Sequence, residues 1–176
     1  MARYQQGDYA AVSDLIGRVS PQLHRFFLVQ SASRADADDL LQETWLRIHK
    51  VRHTYRPGEA ALPWFYAIAR YVRVDHYRKS VRTAAGEREL EAMSKGAVAV
   101  AGKFSHVESL DALLAPLPES QREVIEMLKV AGMSLEEVAR ATSSSVGSVK
   151  QKAHRAYAKL RETMTTRGKA EDYREG

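Results

Sequence analysis

Apolar residues recur along this chain at helical spacing, and no convincing alternation with a period of two interrupts them. Val12, Leu15, Ile16 and Val19 mark one face of a short helix over residues 8–19. Ser20-Pro21 then reads as an N-cap followed by a proline at the first helical position, opening a second helix with Leu23, Phe26 and Phe27. A third helix is expected from about Asp36, whose carboxylate caps its first amides, through Leu40, Leu41, Thr44, Trp45 and Ile48. Residues 53–59 form a loop around the turn signal Pro57-Gly58. A fourth helix is expected from about Pro63 past Val74, burying Phe65, Ile68 and Val72.

Beyond Arg82 the pattern weakens. Residues 83–107 hold three of the ten glycines and few large apolar side chains, which predicts a flexible linker with a helical turn over 87–93. Leu110, Leu113 and Leu114 open a second apolar stretch, broken by Pro116-Leu117-Pro118. Residues 119–130 predict a helix with Val124, Ile125 and Leu128 inward, ended by Gly132. Ser134-Leu-Glu-Glu137 fits the capping box, in which Ser and Glu side chains satisfy the free amides of a first turn. A short helix follows (Leu135, Val138 and Ala139 inward), then a polar turn over 142–145. The last helix runs from Val146 to about Glu162, with Val146, Val149, Ala153, Ala156 and Leu160 on its inner face. The expectation is an all-α chain of two small helical domains, 1–82 and 108–164, joined by the linker 83–107 and followed by a charged tail, 165–176.

Composition narrows the function classes. At 176 residues, 44% hydrophobic and 28% charged, the chain is globular in character. No apolar run approaches the roughly 18–20 residues of a membrane span, the amino terminus has no secretory pattern, and a cytoplasmic protein without membrane insertion is expected. Zero cysteines remove disulfides, thiol nucleophiles and Cys-type metal sites. The net charge of +5 is unevenly spread: residues 36–43 carry four acids and no base, 70–82 five bases against Asp75, and 145–161 five bases and no acid. Two basic tracts and one acidic patch suggest nucleic acid at two places and a basic protein surface at a third.

The segment 134–161 is a helix-turn-helix: a short capped helix, a polar turn and a longer basic helix. Ser148, Lys150, Gln151, Lys152, His154 and Arg155 project from the first half of the second helix, where a recognition helix meets base edges in the major groove. In the fourth helix, bases alternate with aromatics, and Arg70, Arg73, Tyr77 and Arg78 extend away from the apolar side, a pattern suited to unpaired bases. The acidic group Asp36, Asp38, Asp39 and Glu43 lacks calcium-loop spacing and has no histidine four residues away as in a zinc motif. A nuclease holding magnesium there is weighed and set aside, because successive carboxylates on one helix diverge and no second cluster completes a two-metal site. A stand-alone dimeric helix-turn-helix regulator explains the last helix but not the acidic or aromatic-basic ones. It would bind promoter duplex without polymerase.

Four motifs, Asp36-Ala-Asp-Asp-Leu-Leu-Gln-Glu-Thr-Trp-Leu-Arg47, Trp64-Phe-Tyr-Ala-Ile-Ala-Arg70, Leu117-Pro-Glu-Ser-Gln-Arg-Glu-Val124 and Ser145-Val-Gly-Ser-Val-Lys-Gln-Lys-Ala-His-Arg-Ala156, stand in this order in the chain. Together they resemble the extracytoplasmic-function (ECF) group of bacterial RNA polymerase sigma factors, over about residues 8–162. The resemblance implies two helical domains, region two and region four, and a factor that directs core RNA polymerase to promoter DNA, with an anti-sigma protein as controlling partner. It implies that Asp39, Leu40, Gln42 and Glu43 grip the polymerase clamp. Residues 70–79, among them Arg70, Tyr71, Arg73, Tyr77, Arg78 and Lys79, would open and read the minus-ten element together with the loop 53–63. Lys150, Gln151, His154 and Arg155 would read the minus-thirty-five element, with Ser148 and Lys152 on phosphates. No catalytic residue, cofactor or metal is implied. Three positions depart from the family pattern: Ser143 stands where glycine is common, Tyr71 where asparagine is usual, and Tyr157 where arginine is common.

Overall fold

The computed structural model describes residues 1–31, 33–91 and 113–172, with side chains to 81 in the second stretch and to 165 in the third. The chain divides into two compact units, Met1–Lys103 and Phe104–Gly176. The described residues are helical, without a strand.

In the first unit, α1 (Ala2–Gln5) leads into α2 (Tyr9–Leu28), α3 (Arg34–Val51), a 3₁₀ turn (Arg52–Thr54) and α4 (Ala61–Glu91). Helix α3 packs against both α2 and α4. Each helix presents an apolar stripe at helical spacing: Val19, Leu23, Phe26 and Phe27 from α2, Ala37, Leu40 and Ile48 from α3, and Phe65, Tyr66, Ala69 and Val72 from α4, all buried. Aromatic rings meet edge-on at the centre, with Phe26 5.2 Å from Tyr66 and 5.5 Å from Phe27 between centroids. Trp45 lies 5.9 Å from Phe65, and its Nε1 donates to Ser20 Oγ at 2.9 Å, tying α3 to α2.

Four sequence expectations change here. Ser20-Pro21 starts no helix: α2 is continuous, capped by the Asp8 side chain, which accepts from the Ala11 amide at 3.1 Å. Pro21 leaves the Gly17 carbonyl without its usual helical donor, but both residues are exposed and water can supply one. The stripe through Val19, Leu23 and Phe26 holds the helix together across that point. The cap of α3 is Ser33, whose hydroxyl accepts from the Asp36 amide at 3.0 Å, so Asp36 is a first-turn residue rather than the cap. Its charge still suits the positive end of the helix. Helix α4 begins two residues earlier than expected, which places Pro63 in the first turn, where its missing N–H is not needed. The same helix passes residue 82 and continues to Glu91. The rest of the expected linker and Leu110 lie outside the described residues.

The second unit contains α5 (Glu119–Ile125), a π turn (Glu126–Val130), α6 (Leu135–Ala141) and α7 (Val146–Asp172). Arg122 Nη2 donates to the carbonyls of Ala115 and Leu117 at 3.2 and 3.1 Å, holding the proline-bounded turn against α5. The π turn, not anticipated from periodicity, closes with the Ala131 amide on the Glu126 carbonyl at 3.1 Å. Gly132 ends it at φ +68°, as expected of a glycine stop, and lets the Met133 amide reach back to the Met127 carbonyl at 3.0 Å. Val124, Ile125, Met127, Val138, Val149, Ala153 and Ala156 form the buried core. Helix α7 runs past Glu162 to Asp172, into the segment expected as a tail; residues 173–176 lie outside the described residues.

Phe26 is fully buried between two aromatic neighbours. Phe26→Ala is expected to destabilise the first unit by about 3–5 kcal/mol, read as a lowered denaturant midpoint.

Candidate nucleic-acid and protein interfaces

The helix-turn-helix is built from local hydrogen bonds. Ser134 Oγ accepts from the Glu137 amide at 3.1 Å while Glu137 Oε2 accepts from the Ser134 amide at 2.8 Å, completing the expected capping box. After α6, the Ser143 amide donates to the Arg140 carbonyl at 3.2 Å and the Ser144 amide to the Ala139 carbonyl at 2.9 Å. Ser143 itself adopts φ +50°, so the left-handed backbone that glycine favours is kept without glycine. Ser145 Oγ then caps α7 by accepting from the Ser148 amide at 3.2 Å.

With Val149, Ala153 and Ala156 buried beneath, Lys150, Gln151, His154 and Arg155 are all exposed on the first half of α7, and Ser148 and Lys152 are half-buried at its margins. These four exposed polar side chains fall within six positions in the amino-terminal half of the helix. Tyr157 sits one turn further, with Lys129 Nζ 5.9 Å from its ring centroid.

In the first unit, Asp39 and Gln42 are exposed on α3 and Glu43 is half-exposed. Leu40 is only 3% exposed and lies beneath this face rather than on it, because it belongs to the stripe that packs α3. Leu46, 65% exposed, completes the face. Sequence reasoning missed it, although positions 39, 42, 43 and 46 follow the i, i+3, i+4, i+7 rule that places them together. Asp38 turns towards α2, with its Oδ1 2.7 Å from His24 Nε2. The acidic residues therefore diverge, and among the described residues no group of three or more His, Asp or Glu side chains is placed to hold a metal ion.

On α4, Tyr71, Tyr77, Arg78 and Lys79 are exposed, and Arg70 and Arg73 half-buried. The α3 and α4 surfaces are joined rather than separate. Arg47 of α3 stacks its guanidinium 4.7 Å from the Tyr71 ring centroid, and Lys79 reaches Asp75 at 3.0 Å and Glu43 at 3.8 Å. The hydrogen bond from Lys79 holds the Asp75 carboxyl below its ordinary range, and the same bond, with the charges of Asp75 and Glu43, raises the Lys79 ammonium. Lys79 thus stays fully charged at neutral pH. Arg73 and Tyr77 also line a cleft of about 230 Å³ with Gln30, Asp36 and His76.

The loop between the 3₁₀ turn and α4 is closed on itself. Tyr55 is buried, its ring 5.7 Å from Trp64, and its hydroxyl donates to the Glu59 carbonyl. Trp64 Nε1 donates to Thr54 Oγ1 at 3.3 Å, and Gly58 makes the turn at φ +93°. Residues 56–60 are all exposed at its tip.

Comparison with known proteins places the chain in a family. Residues 3–83 match the family profile of Sigma-70 region 2, and residues 108–160 that of Sigma-70, region 4. The chain is 32% identical over 167 residues to the ECF RNA polymerase sigma factor SigF of Caulobacter vibrioides, covering 93% of this chain and 91% of that one. It is 31% identical over 166 residues to the RNA polymerase sigma factor CarQ of Myxococcus xanthus, covering 93% and 95%. Two solved structures share the fold: the sigma factor RpoE in complex with the anti-sigma factor NepR from Bartonella quintana (TM-score 0.68, 21% identity, covering 88% of this chain and 97% of that one) and CnrH in complex with the cytosolic domain of CnrY (TM-score 0.69, 22% identity, 94% of each). A two-part helical chain carrying regions 2 and 4 in this order is a transcription initiation factor. It belongs to the ECF group of RNA polymerase sigma factors, which bind core RNA polymerase and direct it to a class of promoters.

Because Ser143 occupies a conformation costly for a side chain, Ser143→Gly is expected to stabilise the second unit by about 0.5–1 kcal/mol, the relief of strain exceeding the added freedom of the unfolded chain. A thermal melt of the variant checks it.

Proposed function

We propose that this sigma factor divides its work among three surfaces. The α3 face of Asp39, Gln42, Glu43 and Leu46 docks on the polymerase clamp, the acidic groups meeting basic partners around an exposed leucine. The loop 53–63 and the α4 residues Arg70, Tyr71, Arg73, Tyr77, Arg78 and Lys79 open and read the minus-ten element. Tyr77 there offers an exposed ring for an unstacked base, and capture of flipped bases offsets an unstacking cost of a few kcal/mol. Lys150, Gln151, His154 and Arg155 read the minus-thirty-five element, with Ser148 and Lys152 on phosphates. Residues 1–82 act as the first module, 108–164 as the second, and 83–107 as their connection. The work is done by binding energy in the cytoplasm, without catalysis.

The observation that carries this reading is the exposed Lys150, Gln151, His154 and Arg155 stripe over a buried Val149, Ala153 and Ala156, on a helix whose entry is capped by Ser145. Control by an anti-sigma protein is proposed because the relatives RpoE and CnrH were solved bound to NepR and to the cytosolic domain of CnrY. Such a partner would act by covering one or both modules.

Gln42→Ala combined with Glu43→Arg is expected to abolish binding to core polymerase in a pull-down, and Leu46→Ala to weaken it. The fold should survive, since the pair of Glu43 with Lys79 at 3.8 Å is exposed and screened by solvent. Unchanged affinity removes the clamp assignment. In transcription assays with core polymerase, Lys150→Ala or Arg155→Ala should weaken promoters that depend on the upstream element by about 1–3 kcal/mol where a base contact is lost. An equal loss on every sequence assigns the residue to phosphate instead.

A further inference from the structure

Helix α1 contributes to none of these surfaces, yet two consecutive side chains from it grip the 3₁₀ turn at the start of the promoter-reading loop. Tyr4 is 5% exposed, its hydroxyl hydrogen-bonded to His49 Nδ1 at 2.9 Å, and the Arg52 guanidinium lies 6.0 Å from its ring centroid. Burial raises the Tyr4 phenol above its ordinary range, with Arg52 acting the other way, so the hydroxyl stays protonated. Gln5 Nε2 donates to two backbone carbonyls, Arg52 at 2.7 Å and Tyr55 at 2.8 Å. Both partners are acceptors, so only the amide nitrogen fits there, and the orientation of the Gln5 amide is fixed by its neighbours.

This grip is anchored in turn. Gly7, at φ +86°, reverses the chain between α1 and α2. Arg3 pairs with Asp8 at 2.7 Å, and Asp8 also caps α2 through the Ala11 amide, a bond that with Arg3 keeps its carboxyl below the ordinary range. The α1 segment is thereby fixed to α2, and through Gln5 to a point some fifty residues along the chain.

The 3₁₀ turn needs such a brace. It spans three residues, and its closing bond is the Tyr55 amide on the Arg52 carbonyl at 3.2 Å. A turn this short is poorly held by its own geometry. Gln5 adds a second donor to the Arg52 carbonyl and supplies one to that of Tyr55. Tyr55 then sets the loop by its ring against Trp64 and its hydroxyl on Glu59. Moving the turn moves Tyr55, and with it the exposed tip at 56–60.

We propose that Gln5 is a positioning residue for promoter recognition: its side-chain amide fixes the 3₁₀ turn and so the presentation of the loop to the minus-ten element. The proposal rests on the reading above that this loop takes part in minus-ten recognition, and one experiment separates the two. The full chain is assayed with core polymerase on promoters that share one minus-thirty-five element and differ base by base in the minus-ten. Gln5→Met keeps the length and removes the donor. Gln5→Glu keeps the shape and turns oxygen towards both carbonyls. Both variants should bind core polymerase as the parent does and discriminate minus-thirty-five elements as before, while the preference for the best minus-ten over its single-base variants falls about tenfold, the scale of two lost hydrogen bonds. Gln5→Lys, which restores a donor at similar reach, should recover most of that preference. If Gln5→Glu fails to fold by circular dichroism, Gln5→Met decides. An unchanged preference in Gln5→Met, or a fall that is uniform over all templates, overturns the positioning role. Arg56→Ala with Glu59→Ala, leaving Gln5 intact, tests the loop: if that pair leaves the minus-ten preference unaltered, the loop reading falls and the proposal with it. If the pair flattens the preference and the Gln5 variants do not, the loop reading stands and the role of Gln5 is lost.

Discussion

Everything in the first unit depends on how α3 is seated against α4. Leu40 and Ile48 from α3, and Phe65, Ala69 and Val72 from α4, are each 3% exposed or less. A helix advances about 100° per residue, so burying this stripe fixes the direction of every other side chain on both helices. It turns Asp39, Gln42 and Leu46 to the outside of α3, and Tyr71, Tyr77 and Arg78 to the outside of α4. It also brings Arg47 over Tyr71 and Glu43 towards Lys79. A slip of one residue in either helix would scatter all of these positions.

Cohesion and the exposed polar faces are accordingly carried by different atoms. Buried aromatic rings and aliphatic side chains supply the cohesion, whereas the exposed pairs, Lys79 with Glu43 between the two helices and Lys79 with Asp75 along α4, are solvent-screened and individually weak. The second unit follows the same division: Val149, Ala153 and Ala156 hold α7 in place, and the polar stripe above them is free of that duty. Substitutions on the outward faces therefore leave the buried stripes intact.

What was legible in the sequence was what is local. The capping box at Ser134, the stop at Gly132 and the two faces of α7 each depend on residues within about one or two turns, and all were readable. The interruption at Ser20-Pro21 was misread because tertiary packing of a long stripe outweighs one missing backbone donor at an exposed position. The cap of α3 was misplaced by three residues because serine and aspartate are nearly equal as caps. Leu40 stood on the apolar stripe by its spacing and in the clamp-gripping set only through the resemblance, and it is buried in that stripe. The π turn at 126–130 has no sequence pattern, and the hold of Gln5 on Arg52 and Tyr55 joins residues 47 and 50 positions apart, beyond any local rule.

The burial of Tyr4 has a practical side. Tyr4 makes helix α1 a structural part of the unit by holding it against His49 and Arg52. A fluorophore carried on Tyr4 or Gln5 would displace that contact, and material so labelled would report on a perturbed molecule.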